Sequence, residues 1–140
     1  MIVYLGLGSN LGDRKNYIKQ ALRELKRSRI KIIKRSSIIE TDPVGGPPNQ
    51  GKFLNAVLKA ATDFSPKRLL STVKSIEKKI GRKKAAKYGP RVIDIDILLY
   101  GQKKVTSPGL TIPHPEMIKR DFVMRPLKQI APRLAKKMTP

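Results

Sequence analysis

The chain contains no cysteine, a single histidine, and only 10 Asp and Glu against 31 Lys and Arg. Without cysteine there is no disulfide framework and nothing to gain from an oxidising compartment, so a cytoplasmic location is the default expectation. One histidine with no thiolate argues against a zinc site. No G-x-S-x-G segment supports a serine nucleophile with a histidine base, and no G-x-x-x-x-G-K-[ST] segment supports a P-loop. No apolar run is long enough to span a bilayer, and residues 1–6 lack a basic leader and are too short for a signal-peptide core; no membrane partner is expected. Aromatic residues make up only 5% of the chain.

What is present fits a globular protein. At 140 residues, with 39% hydrophobic and 29% charged content, the chain is expected to fold as one domain over 1–140, with a real core. The formal net charge of +21 first suggests a nucleic-acid partner. It also fits an enzyme that steers anionic nucleotides, and a generally lysine-rich proteome gives the same excess. A small basic RNA-binding protein on a ferredoxin-like sheet is therefore the alternative. The low aromatic content and the lack of a K/R-G-F/Y-G/A-F segment speak against nucleic acid.

The apolar pattern orders the elements. Residues 2–7 read as a strand ending at Gly8-Ser9-Asn10. A helix capped near Asp13 carries Ile18, Ala21, Leu22 and Leu25 on one stripe. A second strand is expected over 30–39 and a third over 53–62, separated by a Pro- and Gly-rich loop at 42–52, long enough to suggest function. Ser65-Pro66 opens a helix whose Leu69, Val73, Ile76 and Ile80 step by four, three and four, and Gly81 stops it. After a basic loop at 82–91, a strand over 92–100 is expected to turn at Gly101-Gln102 into a hairpin towards Val105. Short helical stretches are expected at 115–119 and 126–130, and the tail from Arg133 is weakly patterned. This order predicts an α+β, ferredoxin-like βαββαβ core with an antiparallel sheet, an added hairpin and short C-terminal helices.

The segment Arg91-Val-Ile-Asp94-Ile-Asp96-Ile-Leu-Leu99 carries the chemistry. In a strand Asp94 and Asp96 share one face with Val92 and Leu98, while Ile93, Ile95, Ile97 and Leu99 form the other. Two carboxylates at i and i+2 repel unless a cation lies between them, and a hard divalent ion suits two carboxylates plus phosphate oxygens. Arg82, Lys83, Lys84, Lys87 and Arg91 lie just upstream, and metal ligands beside cations are the equipment of phosphoryl chemistry. Taken alone, the pair is more readily read as two solvated acids on the wet face of a half-buried strand, since short Asp pairs are common. Gly6-Leu-Gly8-Ser9-Asn10-Leu-Gly12 has the wrong spacing for a dinucleotide fingerprint; it reads as a tight turn whose Asn10 either faces a ligand or serves the turn. Phe53 and Asn55 share a face, an arrangement suited to a flat polar heterocycle or to an ordinary core edge. Phe122 follows Arg120 and offers the opposite face of a ring sandwich. His114 stands in Ile-Pro-His-Pro, where a lone histidine usually serves a loop.

Together these segments resemble the 6-hydroxymethyl-7,8-dihydropterin pyrophosphokinase family of folate biosynthesis. The resemblance rests on Leu7-Gly-Ser-Asn-Leu-Gly-Asp13, Gly51-Lys-Phe-Leu-Asn-Ala56, Tyr88-Gly-Pro-Arg-Val-Ile-Asp-Ile-Asp-Ile97, Ile112-Pro-His-Pro115 and Arg120-Asp-Phe-Val-Met-Arg-Pro-Leu127, in the family's order over nearly the whole chain. It implies transfer of pyrophosphate from ATP to the hydroxymethyl group of a reduced pterin, with release of AMP; the chain is expected to act as a monomer. It implies two Mg²⁺ ions on Asp94 and Asp96, and a pterin stacked between Phe53 and Phe122 and bonded by Asn55 and by Thr41, Pro43, Val44 and Gly45. It implies Arg82 and Arg91 as catalytic arginines on the ATP phosphates, with Ile97, His114 and Arg120 on the nucleotide side. The chain departs from the family pattern at Tyr88, often tryptophan, at Gly51, often proline, and at Gln129, often an acid.

Overall fold

The computed structural model describes residues 1–82 and 90–140. Strand β1 (Ile2–Ser9) alternates Val3, Leu5 and Leu7 into the core with Tyr4, Gly6 and Gly8 on the opposite face. Helix α1 (Arg14–Arg27) is capped by Asp13, whose carboxylate accepts the Asn16 N–H at 3.3 Å, and buries Ile18, Ala21 and Leu25. Strands β2 (Lys31–Arg35), β3 (Ile39–Thr41) and β4 (Phe53–Ala61) follow. Helix α2 (Pro66–Ile80) is capped by Ser65, which accepts the Arg68 N–H at 3.2 Å, and buries Leu69, Val73, Ile76 and Glu77. Burying a large aliphatic side chain is worth about 1.5–3 kcal/mol, so these stripes hold both helices on the sheet.

Strand β5 (Asp94–Tyr100) completes a sheet of order β2-β4-β1-β5, with β3 also beside β4 and every pairing antiparallel. Strands β1 and β2 flank β4, and β4 and β5 flank β1, so two split β-α-β units interlock in the ferredoxin-like arrangement expected. Helices α1 and α2 cover one face of the sheet. The other face carries a 3₁₀ turn (Met117–Lys119), α3 (Asp121–Ile130) and α4 (Pro132–Met138), packed on Val57, Leu98 and Leu99. No described helix is long and apolar enough to cross a membrane. A sheet that reads RNA needs an open aromatic face, and here α3 covers part of it.

The structure corrects several expectations. The strand over 30–39 is broken, because Ser36 Oγ takes over the ladder: it accepts the Val57 N–H at 2.9 Å while donating to the Ser37 carbonyl. Gln129 steadies the break by accepting from Ser37 N at 2.9 Å and Ser37 Oγ at 3.0 Å. In β5 the pairing jumps from Tyr4–Leu99 to Leu5–Ile97, leaving Leu98 as an extra residue. Beyond that bulge the faces exchange, so Leu99 joins the α3 side and Tyr100 returns to the main core, not the reverse. The hairpin forms between β6 (Val105–Ser107) and β7 (Leu110–Ile112), and not with β5. Helix α3 runs through Pro126, which forfeits one backbone hydrogen bond but is buried with Val123, Leu127 and Ile130. The tail forms α4, opened by Pro132.

Candidate active site

On the α3 side the sheet floors a cavity of about 530 Å³. Two cross-strand rows build this floor. Asn55, Gly8 and Asp94 are paired across β4, β1 and β5, and Val57, Gly6 and Asp96 form the next row. With strands about 4.8 Å apart, Asn55 and Asp94 stand roughly 10 Å from each other, with glycine between them. The absence of a side chain at Gly8 matters, since a Cβ there would meet Asn55 Oδ1 at 3.2 Å and Phe53 Cδ1 at 3.5 Å.

Phe53, Asn55, Thr41, Val44 and Gly45 line one end of this cavity, and Phe122 of α3 lines it too. Pro43 lies between the lining residues Asp42 and Val44 but is not itself on the wall. Asn55 is buried and donates from Nδ2 to Thr41 Oγ1 at 2.6 Å, which fixes its amide beside Phe53. The Arg120 guanidinium stacks 5.4 Å from the Phe122 ring centre. The other end holds Arg82, Arg91, Asp94, Asp96, His114, Lys119 and Arg120.

Asp96 sits in the wall of this cavity. Burial, and then the neighbouring charge of Asp94, push its carboxyl up to about 7. Asp94 Oδ1 accepts from Arg82 Nη1 at 3.0 Å, and the same Nη1 lies 2.7 Å from Glu77 Oε2. Glu77, only 2% exposed, also accepts the Ile95 N–H at 2.7 Å. Its carboxyl is raised, first by burial. Glu77 is the residue that sequence reasoning missed. The signal was there: an acid four residues after Val73 and three before Ile80 lies on the buried stripe and needs a tertiary partner.

A second cavity of about 280 Å³ opens at the β5 edge, lined by Leu70, Lys74, Ile97, Leu110, Thr111 and His114. Asp96 and His114 belong to both walls, so the two cavities meet at them. Ile97 thus lies in the second cavity rather than the first. His114 Nδ1 accepts the Glu116 N–H at 3.2 Å, which leaves Nε2 to carry the proton. Burial, and then Arg120, lower the His114 pKa, so its ring is neutral at pH 7.

The loops are tied by side chains outside the catalytic set. Asn10 Nδ2 donates to Gln50 Oε1 and the Gly51 carbonyl, both at 3.1 Å, and Asn10 Oδ1 accepts the Arg91 N–H at 2.7 Å. Asn10 therefore serves the loops by positioning them. Arg14 reaches the Lys52 carbonyl at 2.9 Å and Glu40 at 2.8 Å, clamping both ends of the 42–52 segment. Lys83, Lys84, Lys87, Tyr88 and Gly89 lie outside the described residues.

The donor set can be tested against a metal. Among the described residues no group of three or more His, Cys, Asp or Glu could hold an ion. Asp94 and Asp96 are hard oxygen ligands at i and i+2 on one face of β5, and burial, with the Asp94 charge beside it, raises the Asp96 carboxyl. The pair fits a divalent ion whose other ligands are phosphate oxygens and water, which is how Mg²⁺ is commonly held.

A carboxylate pair, one member of which stands where two cavities meet, beside arginines on a ferredoxin-like sheet, is the equipment of a two-substrate phosphoryl-transfer enzyme. The model of the 7,8-dihydro-6-hydroxymethylpterin-pyrophosphokinase family matches residues 4–132, and the chain belongs to that family. It is 49% identical over 130 residues to the 2-amino-4-hydroxy-6-hydroxymethyldihydropteridine pyrophosphokinase of Aquifex aeolicus, covering 93% of this chain and 80% of that one. It is 40% identical over 139 residues to the same-named protein of Bacillus subtilis, covering 99% and 83%. Among solved structures it resembles an HPPK-DHPS crystallised with substrates, at a TM-score of 0.67 and 18% identity, covering 94% of this chain and 40% of that one. The wild-type Plasmodium falciparum HPPK-DHPS with pteroate gives 0.66 and 18%, with 91% and 38% covered. This chain spans about two fifths of those longer chains, and at such identity the likeness concerns the fold.

Proposed function

We propose that this chain transfers the pyrophosphoryl group of ATP to the hydroxymethyl group of 6-hydroxymethyl-7,8-dihydropterin, releasing AMP, with Mg²⁺ on Asp94 and Asp96. The observation that carries this reading is the Asn55–Gly8–Asp94 row: a heterocycle-binding amide and a phosphate-side carboxylate face one trough, with nothing larger than glycine between them. The pterin ring stacks on Phe53 and Phe122, with Asn55 and the Thr41–Gly45 segment at its edge. Its hydroxymethyl arm then points along the trough towards Asp94. ATP enters from the second cavity, its base near Ile97 and its phosphates passing His114 into the reach of Arg82, Arg91 and Arg120.

Mg²⁺, of which the family resemblance implies two, supplies charge neutralisation on the phosphate oxygens. The arginines orient the triphosphate for attack at the β-phosphorus and stabilise the charge that develops there. Asn55, fixed by Thr41, selects the pterin edge and aligns the alcohol. Neutral His114 donates from Nε2 without adding charge. The alcohol proton passes to Asp96 or to solvent. A monomer is taken as the working unit, and dependence on ATP suits action in the cytoplasm.

The test is direct. Purified protein should convert ATP to AMP and pterin pyrophosphate, followed by ³¹P NMR, only when both the pterin alcohol and Mg²⁺ are present. Release of inorganic phosphate, or AMP formation without the pterin, would overturn the reading.

A further inference from the structure

We propose that Arg82 is the resident counter-ion of Asp94 and must leave it before a metal ion can bind, so that the metal is taken up together with nucleotide phosphates. This inference rests on the reading that Asp94 and Asp96 hold the metal.

The Arg82 guanidinium is held in place at several points. Its Nη1 lies 3.0 Å from Asp94 Oδ1 and 2.7 Å from Glu77 Oε2, and its backbone N–H donates to the Glu77 carbonyl at 3.0 Å, just beyond the end of α2. Glu77 is pinned to β5 by the Ile95 N–H, which precedes Asp96. Arg82 is therefore fixed to the same strand that carries both aspartates. A Mg²⁺ ion coordinates a carboxylate oxygen at about 2.0–2.1 Å. An ion on Asp94 Oδ1 would meet the positive guanidinium on the same oxygen, and like charges at such range repel strongly in a partly buried site.

The exchange has a natural driver. With two carboxylates the protein supplies too few ligands for an octahedral ion, and phosphate oxygens supply the rest. Those oxygens are also better partners for a guanidinium than one carboxylate oxygen, since arginine grips phosphate in a bidentate fork. The triphosphate completes the metal's shell and draws Arg82 off Asp94 in one event. Glu77 keeps the Ile95 N–H and Lys74, whose Nζ lies 3.5 Å from Glu77 Oε1, so the buried carboxylate stays partnered after the arginine leaves. Metal and nucleotide then bind with positive coupling, and linkage makes that coupling reciprocal.

The probe is Mn²⁺, titrated by the EPR signal of the free ion. Without nucleotide, Arg82→Gln should bind Mn²⁺ about tenfold more tightly than the wild type, within the usual span of coupling between sites. Lys119→Gln, which removes another cation from the same cavity, should change it by less than about twofold. After subtraction of the Mn²⁺ that a non-hydrolysable ATP analogue chelates in a protein-free titration, that analogue should tighten Mn²⁺ binding far more in the wild type than in Arg82→Gln. If Arg82→Gln binds Mn²⁺ no better, or Lys119→Gln tightens it equally, the resident-cation proposal fails. Should Arg82→Gln fold poorly, Glu77→Gln against Glu77→Gln/Arg82→Gln makes the same comparison with the buried pair neutralised. Asp94→Asn separates the two readings: if, without nucleotide, Asp94→Asn/Arg82→Gln binds Mn²⁺ as tightly as Arg82→Gln alone, the metal assignment itself is overturned.

Discussion

Asn10 grips Arg91 through both of that residue's backbone groups: its Oδ1 accepts the Arg91 N–H at 2.7 Å, and its own N–H donates to the Arg91 carbonyl at 3.0 Å. The same side chain donates to Gln50 Oε1 and the Gly51 carbonyl. One buried amide thus joins the segment carrying a phosphate-side arginine to the end of the segment that frames the pterin cavity. Asn10→Ala should cost about 1–3 kcal/mol, since buried backbone groups lose their partners. It should also raise KM for both substrates. An effect on one substrate alone would show that the two sides are positioned independently.

Asp94→Ala and Asp96→Ala should each lower kcat by about three orders of magnitude or more, the scale of several kcal/mol of transition-state stabilisation. Both carboxylates face the cavity rather than the core, so circular dichroism and thermal melts should show an intact fold. Full turnover in either variant would remove the pair from the mechanism.

Phe122→Ala should weaken pterin binding by about tenfold or more while leaving the nucleotide affinity within about twofold, because stacking is worth roughly 0.5–1.5 kcal/mol beyond the area buried. Calorimetric titration with each ligand separates the outcomes. Equal losses for both ligands would place Phe122 in the packing of α3 against Val57 rather than in the site.

Much of this arrangement is legible in the residues. The caps Asp13 and Ser65-Pro66, the stripes Ile18–Leu25 and Leu69–Ile80, and the period-two placement of Phe53 with Asn55 and of Asp94 with Asp96 all follow from local rules. Four features do not. The Leu98 bulge depends on how many residues β1 offers opposite β5, which no pattern within β5 records. The break at Ser36 depends on Val57 and Gln129, distant in sequence. Helix α3 tolerates Pro126 because its apolar face is buried. Glu77 looks like a helix-surface acid until the Ile95 N–H and Arg82 are brought to it. Each was decided by a tertiary partner that outweighed local propensity.

Asp96 should make the metal-free protein less stable as pH rises. Its pKa is about 7 in the folded chain against 3.8 for the free side chain. Between those values the folded state holds a proton that the unfolded state has released, so stability falls as pH climbs through this window and levels off above about pH 7. His114 works in the opposite direction, because its lowered pKa makes stability rise as pH approaches 6.5 from below. A comparison of variants isolates the first effect. Asp96→Asn keeps the shape and removes the charge, while His114 and Glu77 stay in place. In a chelator, its Tm should match the wild type near about pH 4 and exceed it by several degrees near about pH 8, where the wild type has lost the protonation-linked stability. With Mg²⁺ and nucleotide present the order should reverse, since ligand binding stabilises the protein that still carries the carboxylate. A Tm difference that stays constant across this pH range would show that Asp96 ionises in the folded protein as it does in water, and that the pair carries no stored repulsion for a metal ion to relieve.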